Sequence, residues 1–418
     1  MTVGQTVVQL RSQVANIMSM TDLGTSQHMD PVLHDTSGLQ TAVAQKGKTI
    51  QSVNLHKELR PALWHLDLPT EVLSHIFRYC LPPFVKEELL PSRSNILITT
   101  HRDGPFYDSL RPSNLEAPLL LTKICRRWRE VAMDMPDLWC RLFVEVGWGS
   151  WERALCYDSW LKCSRGRPLS LTFQWPNFAI DWAKLRNLLQ PYFNHVSSLS
   201  VNVSFGPNTP TLMFTDFLTL EELSLSVHHA REDPIPAIAR SISQLPCTLH
   251  SLSLIGMTFR HSHFASFNLI WAHLTNVAID TMRYPADVLH LLQIAPNLSS
   301  LTTCAHFDTF QALEPCTHIK LQFLHFTIGL THSQGSSLLY ALSLPNLRTL
   351  NVRRVPQWPH EEFKAFLARS MCPLESLIVS ERFRGRKSLK DQLAETDEQR
   401  LEYVTLVPSL KYVVREPS

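Results

Sequence analysis

Nineteen histidines and 37 carboxylates would suffice for an acid–base or metal site, but their spacing commits them to neither. His261-Ser262-His263 is the tightest histidine pair, and two imidazoles so close in sequence can chelate a metal. No acidic or cysteine partner stands near it in the sequence, so a surface pair is the favoured reading. Gly147-Trp148-Gly149 lacks the third glycine and the strand-plus-helix context of a dinucleotide-binding turn. No Gly-x-Ser-x-Gly, Walker loop or His-Glu-x-x-His occurs. Arg382 to Lys387, Arg-Phe-Arg-Gly-Arg-Lys, is the only dense basic run, read as a nuclear signal, an acidic-partner contact or a solvated loop. No pattern calls for a catalytic residue, a cofactor or a metal, and the chain is expected not to be an enzyme.

The balance of charge narrows the classes further. Thirty-nine basic against 37 acidic side chains leave a formal charge of +2. That lacks the electrostatic footprint of a nucleic-acid binder, and none is expected. Apolar residues make up 44% and charged residues 18% of 418, enough for two or three folded domains. The nine cysteines are dispersed without a Cys-x-x-Cys pair, which fits reduced thiols and a cytoplasmic or nuclear setting. Cys156 and Cys163, on one expected helix, are read as packing residues. No long apolar window spans a membrane, and Arg11 and Asp22 interrupt any leader-like run.

The stretch from Leu66 to Trp139 organises the chain. Leu68, Val72, Leu73, Ile76, Phe77 and Cys80 fall on one face of a 3.6-residue period. Pro69 suits the first turn, Glu71 complements its dipole, and Pro82-Pro83 stops it. Leu121, Ile124, Cys125, Trp128, Val131, Ala132 and Met135 predict a second, continuous helix that Pro136 ends. Asp137-Leu138-Trp139 then starts a short third turn. Three such small helices make a thin core, and domains of that size often lean on a partner.

These residues resemble a family. Leu68-Pro69-x-Glu71-Val72-Leu73-x-x-Ile76-Phe77, then Cys125-Arg126-Arg127-Trp128, then Pro136-x-Leu138-Trp139, is similar to the F-box. The likeness is strongest to fungal F-box proteins whose two halves are separated by an insertion. The resemblance implies docking on the Skp adaptor of a Skp–cullin–F-box ubiquitin ligase and, through the adaptor, on cullin. It implies that Leu68 and Pro69 touch the adaptor directly. Val72, Ile76, Leu121, Ile124 and Trp128 would be shared between the small core and the adaptor groove.

From Pro168 onward an apolar-x-x-apolar-x-apolar unit recurs, with first members Val196, Leu220, Leu249, Leu274, Leu298, Leu321, Leu347, Leu374 and, weakly, Leu410. The intervals run from 23 to 36 residues, the period of leucine-rich repeats. Helical spacing lies between, at 182–193, 235–245, 285–295, 336–344 and 359–370. Strand-then-helix units of this length predict an α/β solenoid of irregular leucine-rich repeats, with a curved parallel sheet inside and helices outside. The usual asparagine after the strand is replaced by His228, Met257, Met282, His306, Val355 and Arg382, so the turns need other hydrogen-bond partners.

Alternation along each strand points one set of side chains away from the core. The first five rows are small and nearly uncharged: Ser198, Ser200, Asn202; Glu222, Ser224, Ser226; Ser251, Ser253, Ile255; Asn276, Ala278, Asp280; Ser300, Thr302, Cys304. Toward the C-terminus they change to Phe323, His325, Thr327; Thr349, Asn351, Arg353; Ser376, Ile378, Ser380. Aromatic residues and arginine dominate binding hot spots, which makes Phe323, His325 and Arg353 the candidate contacts for a protein substrate.

The expected organisation is a disordered tail over 1–40, a lead-in helix over 41–64 and an F-box-like helical domain over 65–142 with an insertion at 82–116. A connecting helix over 143–167 and the solenoid over 168–418 follow. Two functions fit: a substrate receptor of a ubiquitin ligase, or a protein-interaction scaffold whose F-box-like helices cap the solenoid.

Overall fold

The computed structural model describes residues 68–80, 117–145, 151–175, 182–204, 214–228, 235–243, 245, 247–282, 284–305, 313–328, 336–355, 358–381, 399 and 401–417. The expected tail, lead-in helix and insertion, Gly147-Trp148-Gly149 and the basic run from Arg382 lie outside these residues. The chain divides into two compact units after Trp139.

The first unit holds α1 (Thr70–Cys80), α2 (Ala117–Ile124), α3 (Arg126–Met133) and a 3-10 turn, Pro136–Trp139. Pro69 stands just ahead of α1, and its carbonyl accepts the Val72 and Leu73 amides at 3.0 and 3.1 Å. The expected single helix from Leu121 to Met135 is two helices. Cys125 adopts an extended backbone (φ −156°, ψ 170°), and its sulfur accepts the Trp128 amide at 3.4 Å. An apolar period runs across the break because α2 and α3 bury neighbouring faces of the same core. Leu73, Ile76, Phe77, Leu121, Val131, Ala132, Met135 and Leu138 fill that core. The Phe77 and Trp128 rings meet at 5.0 Å, and Trp139 Nε1 donates to the Ala132 carbonyl at 2.8 Å.

The second unit is an 11-stranded parallel sheet with strands in chain order, β1 (Arg141–Glu145), β2 (Leu169–Trp175), β3 (Val196–Ser204), β4 (Glu222–His228), β5 (Ser251–Phe259), β6 (Asn276–Met282), β7 (Ser300–Ala305), β9 (Phe323–Ile328), β11 (Thr349–Val355), β12 (Ser376–Glu381) and β13 (Tyr412–Pro417). A separate pair, β8 (Cys316–Thr317) and β10 (Leu342–Ser343), is also parallel. The nine repeats read from the sequence are nine of these strands. The other two, β1 and β2, precede them. The segment expected as a connector therefore carries α4 (Trp151–Cys163) between two paired strands, as the helix of the first unit of the array. On α4 Cys156 is exposed, so it is not the packing residue expected. Cys163 donates to the Ser159 carbonyl at 3.2 Å.

One register column explains why leucine recurs. Leu142, Leu171, Leu199, Leu223, Leu252, Val277, Leu301, Leu324, Leu350 and Leu377 pair rung by rung, and all are buried. Against the apolar face lie α5 (Trp182–Leu189), α6 (Ile235–Ile242), α7 (His261–Phe267), α8 (Pro285–Ile294), α9 (Ser336–Ala341) and α10 (His360–Ser370), whose inward side chains include Leu189, Ile238, Phe264, Leu291, Leu338 and Phe366. A neighbouring position makes a main-chain ladder. The amides of Glu221, His250, Thr275, Ser299, Gln322, Arg348, Glu375 and Lys411 each donate to the same position one unit earlier, at 2.7–3.0 Å.

Hydroxyls reinforce that ladder. Thr219, Thr248, Thr275, Ser299 and Ser409 donate to carbonyls of the preceding unit at 2.9–3.2 Å. These ties sit at the N-terminal ends of the strands. At the other end, the Gly256 amide reaches Asp280 Oδ2 at 3.1 Å.

Candidate protein-interaction surfaces

On the helical unit, the two halves of the F-box-like pattern are joined by a side chain. Arg127 Nη2, on α3, donates to the Leu68 carbonyl just ahead of α1. The carbonyl of a helix-preceding residue has no intrahelical partner there, and the guanidinium supplies one. Pro69 is left exposed, and Val72, one turn on, is 41% exposed. Tyr79, Leu119 and Met133 are further exposed apolar residues of this unit. A groove of about 570 Å³ runs between α1 and α3, lined by Thr70, Ser74, Arg127, Glu130 and Met135.

The adaptor-contact residues expected from the resemblance fall into two groups. Leu68, Ile124 and Trp128 are half-buried, Pro69 and Val72 exposed. Ile76 is 8% exposed and Leu121 0%. Both lie in the core of the helical unit.

On the sheet, the residues expected to alternate away from the core do so. The registers place them in three rows. One runs Ser198, Glu222, Ser251, Asn276, Ser300, Phe323, Thr349, Ser376. The second runs Ser200, Ser224, Ser253, Ala278, Thr302, His325, Asn351, Ile378. The third ends in Cys304, Thr327, Arg353, Ser380. Most of these residues are half-buried, while Ser226, His325, Asn351 and Ser380 are buried outright.

Phe323, His325 and Arg353 are brought together on adjacent strands. Phe323 and His325 lie two apart on β9, and Arg353 pairs with Thr327 on β11. Burial, and then the nearby Arg353 charge, push the His325 imidazole down to about 4, so it is neutral near pH 7. No ion pair of Arg353 occurs among the described residues, and its Nε has no hydrogen-bond partner. Among the described residues, Asn351 Oδ1 and Ser253 Oγ are also buried without a partner, and both are on this same face.

No family model matches the chain, and no curated protein matches it. Among solved structures it is similar to LegL7, a leucine-rich repeat-containing protein from Legionella pneumophila, with a TM-score of 0.38 and 12% identity over 66% of this chain and 91% of that one.

The histidine pair singled out in the sequence is separated by the fold. His263 is buried, and its Nδ1 accepts the Arg260 amide at 3.0 Å at the start of α7. His261 turns outward to the next unit, where its ring meets His290 at 4.5 Å and its Nδ1 stands 3.7 Å from Asp287. The Asp287 carboxyl is raised above its ordinary range, chiefly by burial and against the pull of the Tyr284 amide. It serves as the N-terminal cap of α8, accepting that amide at 3.2 Å. Among the described residues, no group of three histidine, cysteine or carboxylate side chains is placed to hold a metal ion. No described helix is long and apolar enough to cross a membrane.

α7 itself was missed in the sequence. Its signal was present: Phe264, Phe267 and Trp271 keep helical spacing and are all buried. The two histidines drew attention to chemistry instead.

Proposed function

We propose that this chain is the substrate-recognition subunit of a Skp–cullin–F-box ubiquitin ligase. The helical unit would dock on the Skp adaptor, and through it on cullin, while the sheet face holds a target protein. No residue of the chain would perform chemistry. Its contribution is proximity, which raises the effective concentration of a target lysine beside a charged conjugating enzyme. A cytoplasmic or nuclear setting belongs to the same reading.

One observation carries it. Arg127 closes the two halves of the pattern across 59 positions and fixes the backbone at Leu68, with Pro69 and Val72 left outside the core. A thin helical unit with exposed apolar side chains beside a polar groove suits a partner surface. The target half is supported by the sheet face away from the leucine column, where Phe323 and Arg353, which has no ion pair among the described residues, lie on adjacent strands.

Co-expression of the full chain with a Skp adaptor tests the docking half. A stable complex is expected, abolished by Val72→Asp, which introduces charge at an exposed position, and weakened by Pro69→Ala. Absence of any complex, with the chain folded, would reject the ligase reading and leave a repeat scaffold capped by its own helices.

A further inference from the structure

One rung of the sheet carries two polar side chains that the fold buries and leaves without hydrogen bonds. Asn351 on β11 pairs in register with His325 on β9, and both alternate away from the leucine column. They are 7% and 8% exposed. Asn351 Oδ1 is shielded from water without a partner, and none of the described residues hydrogen-bonds the His325 ring. Buried polar groups are almost always paired, so two such side chains on one rung mark a contact that the chain alone does not complete.

The rung is set lower than its surroundings. On the same face Thr302 and Ile378 stand at its two ends, Phe323 and Thr327 along β9, Thr349 and Arg353 along β11, and all of these are half-buried. Its chemistry selects a neutral guest. Asn351 Oδ1 is an acceptor and opposes an anion. Burial, and then the Arg353 charge, keep the His325 imidazole neutral near pH 7, and the same charge opposes a cation on the rung. A neutral imidazole offers one N–H and one lone pair, and the Asn351 carboxamide offers N–H and C=O along one edge. Another amide can meet that edge with two antiparallel hydrogen bonds and still reach the imidazole.

From this geometry we infer that the His325–Asn351 rung seats a neutral amide of the bound target, the carboxamide of an asparagine or glutamine side chain or a main-chain peptide group. Its N–H donates to Asn351 Oδ1, and its C=O accepts from Asn351 Nδ2 or the imidazole. The gain comes from pairing groups that are already dehydrated. The inference rests on the target-binding half of the proposed function and is independent of adaptor docking. Its failure with the adaptor complex intact removes only the amide seat.

Titration of the full chain with acetamide and with N-methylacetamide tests it, with the histidine rings isotopically labelled and the His325 signal followed by NMR. His325→Gln assigns that signal by its loss. A saturable shift with an affinity on the order of 10 mM is expected for at least one of these small probes. Preference for acetamide assigns a side-chain carboxamide, and preference for N-methylacetamide assigns the main chain. Asn351→Leu, similar in size and without polar atoms, should weaken binding about tenfold or more. Arg186→Gln, in the Arg186–Asp216 pair elsewhere on the array, should leave it unchanged. Three results would overturn the seat: no saturation with either amide, undiminished binding by a folded Asn351→Leu, or equal binding of methyl acetate, which has no N–H. The last comparison uses the unmodified chain and stands even if the variant fails to fold.

Discussion

The Arg127 guanidinium and the Leu68 carbonyl are hydrogen-bonded although 59 positions separate them. The guanidinium therefore does work that neither helix can do alone: it holds the chain leading into α1 against α3. Arg127→Met keeps much of the stem's packing and removes the donor. It is expected to destabilise the helical unit by about 1 kcal/mol, less than a fully buried charged hydrogen bond because the side chain is half-exposed. Urea denaturation of the full chain, followed by fluorescence, checks this, and adaptor binding should weaken in parallel.

Gly256 predicts a larger loss. It sits at φ +75° where β5 shifts register, and an added Cβ would lie 2.0 Å from the Val227 carbonyl oxygen. Backbone, not a movable side chain, is what it would meet. Gly256→Ala should cost more than about 2 kcal/mol, since strain at positive φ adds to the clash. Thermal melting of the variant is the measurement, and an unchanged midpoint would contradict the register shift at this strand.

Met371 predicts the opposite sign. It ends α10 in the left-handed region at φ 45°, with its amide on the Leu367 carbonyl at 2.9 Å, and its side chain is 84% exposed. Glycine loses no packing there and relieves the backbone. Met371→Gly should stabilise the chain by roughly 0.5–1 kcal/mol, read as a higher denaturation midpoint.

Tyr403 ties the C-terminal turn to α10. Its hydroxyl accepts Trp358 Nε1 at 2.8 Å and meets His360 Nδ1 at 2.5 Å, and the ring is buried. Tyr403→Phe strands the indole N–H in the core and should cost about 1–3 kcal/mol. Trp358→Phe in the same background should recover part of the loss, because it removes the stranded donor; a double-mutant cycle reads the coupling.

His325 predicts a pH dependence. Burial and Arg353 hold its folded pKa at about 4, against 6.5 for the free side chain. Between those values the unfolded chain binds a proton that the folded chain refuses. This contribution to stability is present in full above pH 6.5 and lost as pH falls toward 4, on the order of 3 kcal/mol over the window. His325→Gln should flatten the difference in stability between pH 7 and pH 4.5. An identical pH profile for variant and parent would place the imidazole in water.

What the sequence could show was what its periods encode. The column from Leu199 to Leu377 fixes strand position and facing together, because a one-residue slip would turn every leucine outward. For the same reason Phe323, His325 and Arg353 could be placed on one face before any coordinates. β1 and β2 were hidden because Leu142 and Leu171 stand among tryptophans and a helix that read as a connector. The break at Cys125 was invisible because apolar spacing continues through it. His263 as a cap and the hydroxyl ladder from Thr219 to Ser409 escaped notice because serine, threonine and histidine suit loops equally well. Their roles depend on a carbonyl from the preceding unit.

β13 bonds to β12 alone among the described strands, whereas each strand from β2 to β12 in the large sheet is flanked on both sides. Among the described strands, β13 therefore has one unpaired edge. Amide exchange should be fastest along Tyr412–Pro417 and slow inward, unit by unit, as opening costs more neighbours. A target that lies along Arg353 toward that margin would stiffen the part of the protein most inclined to peel.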